Sequence, residues 1–408
     1  MPKFLWTQRS NFGPSARLDL AMAYDSNRGR TVLFGGRPPA DGSAPLGDTW
    51  EWDGSYWTQV DDFGPPARVQ HAMVYDSVRK VTILFGGNSG SGTNTSALGD
   101  TWQWDGQNWT QLSNSGPSAR VSHAMAFDAT RNQTVLFGGA DATGPLQDTW
   151  QFDGQDWTRL ENSGPSPRSY HAMAYDAVNA RVTLFGGGVP ANGAAGNSVL
   201  GDTWAWDGNT WVQIATFGPS ARQAAAMVWM GDTTLLFGGI GVPSLLGDTW
   251  EFDGKLWSQR QDIGPGARSD HGMTFDTARN RVVLFGGTNA SGGANVPLGD
   301  TWEHEEDQTA ATPPVSSVSV TSVQAAVAGQ IVTITIFLSG PAPAGGAVVH
   351  LSVAASGDTL LPSDVTAPAG STGTQVQLNL QNEVPGGTSL VISANTDGTP
   401  PATATVTV

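Results

Sequence analysis

Short apolar runs recur along the first three quarters of the chain, each of strand length and each bounded by Gly, Pro or Asp. One copy reads HAMVYD (71–76), then VTILFGG (81–87), then a Gly/Ser/Ala-rich stretch, then GDTW and, after another aromatic, Asp-Gly and a second Trp. Runs of this length, rich in β-formers and closed by turn residues, predict strands rather than helices. Gly-Pro-x-x-Arg opens every copy, at 13–17, 64–68, 116–120, 164–168, 218–222 and 264–268, and Leu-Phe-Gly-Gly closes the second run in all six. Asp-Gly at 53–54, 105–106, 153–154, 207–208 and 253–254 predicts a tight turn between the third and fourth runs. The first and second are joined by YDSNRGR and its relatives, with a shorter WMGDT (229–233) in the fifth copy. Each copy therefore reads as four antiparallel strands. Such a sheet cannot bury both faces alone, whereas six packed around an axis can.

The Gly-Gly after the second strand, the aromatic on the third and the Trp on the fourth, at this period, resemble kelch repeats across roughly residues 1–308. The resemblance implies a six-bladed β-propeller. The sixth copy breaks off: LGDTW (298–302) continues as EHEED, and no second Trp follows. The start of the chain supplies what is missing, because FLWTQRSNFGPSAR (4–17) aligns with SYWTQVDDFGPPAR (55–68). Trp6 then stands where Trp57, Trp109, Trp157, Trp211 and Trp257 stand. Residues 3–9 are expected to form the fourth strand of the sixth blade, a strand that molecules could also exchange. In this reading His304 replaces an aromatic, and Glu305, Glu306 and Asp307 form a solvated exit. Trp50 and Trp52, two apart, face one side of their strand, and recurrence of these aromatics in every copy points to core between blades rather than a sugar platform.

After the Pro-rich stretch QTAATPPVSS (308–317), residues 315–408 contain no Lys, Arg, Trp or Tyr. Alternating runs at 317–323, 331–338, 347–353, 374–380, 389–394 and 402–408 predict a β-sandwich. SGPAPAGGAVVHLS and VTAPAGST resemble bacterial immunoglobulin-like domains, a type that implies a surface or extracellular setting. The expected division is an all-β propeller over 1–308, a linker over 309–316 and an Ig-like sandwich over 317–408.

Composition narrows the function. A formal net charge of −16 argues against nucleic acid and anionic membrane partners. With no Cys, disulfides, thiolate metal sites and a cysteine nucleophile are excluded. No apolar run is long enough to span a bilayer, and MPKFLWTQ shows no signal-peptide core. P-loop, Ser-His-Asp and zinc-ligand patterns are not apparent.

The alternation of strands sorts the loops by face, and the variable ones share a face with the Gly-Pro-x-x-Arg connections. That face receives Arg17, Arg68, Arg120, Arg168, Arg222 and Arg268, and also Asp48, Asp100, Asp148, Asp202, Asp248 and Asp300. Matching sets of six suggest repeated structural ion pairs, in which case reversing both charges of one pair should rescue folding. Three residues after the arginine come His71, His123, His171 and His271, but Leu20 and Ala225 in the other copies, which points to packed, hydrogen-bonded histidines rather than a metal site. Two residues after it come Asp19, Gln70, Ser122, Tyr170, Ala224 and Asp270. This position breaks the symmetry, so its polar members Asp19, Gln70, Ser122, Tyr170 and Asp270 are the candidate ligand-binding residues of the channel mouth, with Asp19 and Asp270 in neighbouring blades.

These features point to a non-catalytic extracellular or cell-surface protein, with the propeller as a binding or packing scaffold and the tail as a tether or assembly module. A repeating subunit of an extracellular fibre or layer fits the same class. Expected partners are proteins or further copies of the chain, or a glycan; no cofactor or metal is expected. The alternative is a carbohydrate-active enzyme or lectin working at the channel mouth, since the family resembled includes a copper sugar oxidase and a sugar mutarotase. The oxidase reading fails because its cofactor needs a Cys–Tyr crosslink.

Overall fold

A computed structural model describes residues 4–10, 12–38, 43–61, 63–90, 96–113, 115–160, 163–190, 197–260, 264–291 and 294–306, and beyond these 315–321, 331–338, 347–354, 359–360, 364–367, 372–380, 389–395 and 402–407. All regular elements are strands. Leu5–Glu305 form one compact unit, and the strands beyond belong to a second.

The first blade pairs Ala21–Asp25, Arg30–Phe34, Thr49–Trp52 and Trp57–Asp61 in that order, all antiparallel. Four more sheets repeat this order, beginning at Ala72, Ala124, Ala172 and Ala226. The sixth pairs Gly272–Asp276, Arg281–Phe285 and Thr301–Glu306 with Phe4–Ser10, so the N-terminal strand closes the ring. The first strands of successive blades neighbour one another around a closed circle, which makes them the innermost. Three of the variable loops contain small hairpins that the pattern did not predict, the longest joining Thr288–Ser291 to Ala294–Pro297. Their Gly- and Ala-rich composition carries little strand signal.

The second strand of each blade lies between two neighbouring sheets, and Val32, Leu33 and Phe34 are wholly buried. Burial on both faces explains why it reads as a continuous apolar run. The outer strand shows the opposite pattern, with Trp57 buried and Thr58, Gln59 and Val60 exposed. Its indole lies 5.3 Å from Phe285 of the preceding blade and donates to Thr301 Oγ1 at 2.8 Å. Gly13 seals the other side, since a Cβ there would come within 2.6 Å of the ring. That close approach explains the repeated Gly of Gly-Pro-x-x-Arg. The same contacts recur at Trp109, Trp157, Trp211, Trp257 and Trp6.

At the ring closure, Trp6 packs 5.2 Å from Phe237 and 4.8 Å from His304. His304 is 2 % exposed and occupies the slot that Trp52 fills against Trp57. The segment EHEED is thus no simple exit. Its strand continues to Glu306, and Glu303 is buried, taking Arg9 at 2.9 Å, Arg279 at 2.7 Å and the Trp52 indole at 3.2 Å. The side chains of Glu305, Glu306 and Asp307 lie outside the described residues.

At one end of the channel, a space of ≈ 310 Å³ is lined by Met22, Met73, Met125, Met173, Met227 and Met273, one from each blade. Met22 leans on the preceding innermost strand, where a Cβ on Gly272 would lie 2.5 Å from its sulfur. A long, pliant side chain set against a small one fills such a taper well.

In the second unit the described strands form two four-stranded antiparallel sheets. One is ordered Val315–Thr321, Ile331–Leu338, Gly373–Leu380, Thr359–Leu360; the other Asp364–Ala367, Ala347–Ala354, Ser389–Asn395, Ala402–Thr407. The described residues of the six alternating runs lie in strands, residues 322–323 and 408 falling outside the described residues, and two short strands are additional.

Candidate functional site

The six repeated arginines are buried and face their aspartates. Arg17 Nη1 and Nη2 reach Asp48 Oδ1 and Oδ2 at 2.6 and 2.9 Å, while Nη1 also donates to the Gly35 carbonyl and Nε to that of Ser15, both at 3.0 Å. Arg68–Asp100, Arg120–Asp148, Arg168–Asp202, Arg222–Asp248 and Arg268–Asp300 repeat the pair at 2.6–2.8 Å. Burial pushes the Asp48 carboxyl up, but the Arg17 hydrogen bond and charge outweigh it and hold it below the ordinary carboxylate range. The backbone joins in: Arg68 N–H donates to the Leu46 carbonyl and the Arg68 carbonyl accepts from Gly36 N–H, both at 3.0 Å, stitching the first blade to the second. These guanidinium groups are consumed by partners within their own blades and are not an anion trap.

Two residues further on, the chain reaches the axis. Asp19, Gln70, Ser122, Tyr170, Ala224 and Asp270 all adopt left-handed backbone, with φ of 54–58°. Each N–H donates to the carbonyl of its counterpart in the preceding blade: Gln70 to Asp19, Ser122 to Gln70, Tyr170 to Ser122, Ala224 to Tyr170, Asp270 to Ala224 and Asp19 to Asp270, at 2.8–3.2 Å. The result is a closed circle of backbone hydrogen bonds around the channel. It satisfies polar groups that would otherwise be stranded and offsets the cost of left-handed backbone in non-glycine residues, about 1–2 kcal/mol each.

The side chains of this circle, with Leu20, Ala225 and the four repeated histidines, line a cavity of ≈ 160 Å³. Gln70 Nε2 donates to Tyr170 Oη across the mouth at 2.5 Å. Asp19 pairs with Arg37 at 2.9 Å and is also hydrogen-bonded to Gln70, while Ser269 Oγ donates to Asp270 at 2.7 Å. The two carboxyl groups lie close enough that ionising one opposes ionising the other, so the pair keeps a proton into the neutral range. Burial and then the Asp19 charge push Asp270 up to about 7. Burial raises Asp19 as well, against the pull of Arg37.

The histidines are packed, but they are not hydrogen-bonded as expected. Each imidazole stands edge-on to a Phe of the preceding blade, His71 to Phe34 at 5.6 Å, and none of the nitrogens of His71, His123, His171 and His271 makes a well-formed hydrogen bond. Backbone at Phe34, Phe85 and Phe137 touches three of them weakly, and His271 lacks even that. Burial, and then the Arg268 charge, holds His271 at about 3, so it is neutral across the physiological range. Among the described residues, no three His, Asp or Glu side chains are placed to hold a metal ion.

Sequence reasoning missed Arg37 and Ser269. A signal existed for Arg37: the residues after Gly-Gly are Arg37, Asn88, Ala140, Gly188, Ile240 and Thr288, a single cation in the blade that carries Asp19. The shared proton has a measurable effect. Because the folded pKa of Asp270 lies above its unfolded value of 3.8, its contribution to stability is full below that value and is lost as pH rises through about 7. Asp270→Asn should therefore melt above the wild type at about pH 8.5, with the difference closing by about pH 5. An unchanged difference between those two conditions would contradict the shared proton.

Comparison with known proteins adds the following. The family model described as the KLHDC2/KLHL20/DRC7 Kelch-repeats domain matches residues 30–164 and 154–305. Mei4-dependent protein 6 of Schizosaccharomyces pombe (strain 972 / ATCC 24843) is 31% identical over 141 residues, covering 31% of this chain and 20% of that protein. The chain thus spans about a fifth of the length of the curated relative it matches.

Proposed function

Because this chain belongs to the family of the KLHDC2/KLHL20/DRC7 Kelch-repeats domain, we propose that it is a non-catalytic scaffold that docks a protein partner on the variable-loop face. Kelch propellers generally mediate protein interactions, and one surface feature indicates where a partner sits. The residue before Gly-Pro-x-x-Arg is Phe12, Phe63 and Phe217 in three copies, and these side chains are 90, 85 and 90 % exposed. Ile263 holds the position in the sixth copy and lies outside the described residues. Ser115 and Ser163 hold it in the remaining two. In ring order the three Phe positions enter the fifth, first and second blades and the serines the third and fourth, so the described apolar positions form an arc on the side away from the serines. Phe63 borders a groove with Leu46, Gly47 and Asp48, which puts it on the loop face.

Burying one such Phe stabilises a complex by about 1.5–3 kcal/mol, which is what makes the arc a docking surface. The net charge of −16 favours an apolar partner segment with neutral or basic flanks. The tail, read as an Ig-like sandwich, would tether or assemble the propeller at the cell surface or outside the cell; its resemblance to such domains and its lack of Lys and Arg support that setting.

The test is quantitative affinity capture with the wild type, Phe12→Ser/Phe63→Ser/Phe217→Ser, and Ser115→Ala/Ser163→Ala. Partners should fall by about tenfold or more with the first variant and persist with the second. Equal recovery by all three sinks the proposal. If the Phe variant instead abolishes concentration-dependent sedimentation of the chain itself, the occupant is a second copy.

A further inference from the structure

We propose that the cavity at the channel mouth is a binding site for a primary ammonium group, held by the Asp19 and Asp270 carboxylates. What decides this is the balance of donors and acceptors facing the cavity. The ring amides are spent on ring carbonyls. Arg37 and Gln70 donate to Asp19 and Tyr170, and Ser269 donates to Asp270. Left facing the space are two carboxyl groups, of which Asp19 Oδ2 makes no well-formed hydrogen bond, together with the Ser122 and Tyr170 hydroxyls and neutral imidazoles whose nitrogens lack well-formed bonds. Each neutral imidazole presents one lone pair as well as one N–H. A buried polar group without a partner costs about 1–3 kcal/mol, so His271 and its equivalents call for an occupant.

Charge points the same way. Two carboxyl groups face one cation, Arg37, and a shared proton makes up the difference. A bound ammonium supplies three N–H donors and takes over the charge of that proton, which leaves as the cation enters. A metal ion does not fit, since no three ligands converge among the described residues. An anion would meet two carboxyl groups. At ≈ 160 Å³ the space admits a short alkylammonium, being several times the roughly 30 Å³ that one water occupies in the liquid.

The ammonium could belong to a free amine or to a lysine side chain of a docked protein. The first source is independent of the scaffold proposal; the second deepens it. The experiment is calorimetric titration of the full chain with butylammonium chloride, with tetramethylammonium chloride and with a capped peptide containing one lysine. Butylammonium should bind saturably at about pH 8.5 and about tenfold more weakly at about pH 5.5, where the carboxyl pair holds its proton against the incoming cation. Groups facing the pair are Arg37, Gln70, Tyr170, Ser269 and the four cavity histidines; burial holds the Tyr170 hydroxyl up at about 12 and His271 down at about 3, both outside that range.

Asp270→Asn and Asp19→Asn should each weaken binding by about tenfold or more, and melting curves establish that each variant is folded. Asp141→Asn, in the small hairpin of Ala140–Asp141 and Gly144–Pro145 away from the cavity, should leave it unchanged. Tetramethylammonium, which has no N–H, should not bind. The site is refuted if butylammonium fails to saturate at up to about 100 mM, if both Asn variants bind as well as the wild type, or if tetramethylammonium binds equally. Given binding of butylammonium, a tighter lysine peptide identifies a partner's side chain as the source and a non-binding peptide identifies a free amine. Loss of this site with the Phe arc still active would leave the scaffold proposal standing.

Discussion

Trp6→Ala is expected to lower the stability of the propeller by about 3–5 kcal/mol, more than any other single truncation of the outer strands. Its indole fills the last seam of the ring, between Phe237, His304 and Gly264, and donates to Thr249. The same truncation elsewhere opens one seam between blades that the chain already links. At Trp6 it also weakens the contact that holds the ends of the ring together. Bringing residue 10 to residue 301 closes a loop of roughly 290 residues, which costs about 5 kcal/mol of chain entropy beyond a constant. The pairing of Phe4–Ser10 with Thr301–Glu306 and the packing of Trp6 offset part of it, alongside contacts between the first and sixth blades such as Arg17 with Leu298 and Asp19 with Asp270. Deleting residues 4–10 should broaden the thermal transition and move it down by about 10 °C or more, and a synthetic peptide of that strand should restore part of the loss. A deletion that melts with the wild type would exclude closure by this strand.

The second large effect lies in the repeated ion pairs. Asp100→Ala leaves Arg68, which is 0 % exposed, without its counter-charge and should cost about 3–5 kcal/mol. Asp141→Ala, half-buried in a small hairpin where its carboxylate accepts from Thr143, should cost only about 1 kcal/mol. The sequence alone suggests that reversing both charges of a pair rescues it. The structure predicts otherwise. Arg68 also donates to the carbonyls of Gly86 at 2.8 Å and Pro66 at 2.9 Å, and a carboxylate in its place would face both oxygens. Arg68→Asp/Asp100→Arg should therefore remain about as unstable as Asp100→Ala, and recovery to wild-type stability would show that charge alone matters. Acid should act on all six pairs together. Their Asp pKa values are held below the ordinary 3.8, so the stability they contribute is present above that pH and lost as pH falls below it.

Much of this architecture was legible because each repeat restates the same physical problem. Buried second strands read as apolar runs, the Gly of each connection marks an indole that leaves no room for a Cβ, and the displaced outer strand was visible because FLWTQ matches YWTQ. The circle of left-handed residues was not legible, because its members Asp19, Gln70, Ser122, Tyr170, Ala224 and Asp270 include no glycine to announce positive φ. One trace was present: none of the six is β-branched, and β-branched side chains tolerate that backbone worst. The carboxyl pair was glimpsed through the asymmetry of that position. Its proton and its Arg37 partner depend on burial and on a loop whose path no local pattern encodes. The unsatisfied histidines were misjudged for the same reason, since packing against Phe34 and its equivalents displaced the hydrogen bond that a buried imidazole usually finds.

The closing strand also sets an order of events on the ribosome. Phe4–Ser10 is synthesised some 290 residues before Thr301–Glu306, the strand it pairs with. At about 5–20 residues per second, it waits for roughly 15–60 s with both edges unpaired and its tryptophan uncovered. By the end of that interval the nascent chain carries five complete blades and one unpaired strand. A neighbouring nascent chain could capture it, so chaperone binding to this strand should matter most while the sixth blade is still being made.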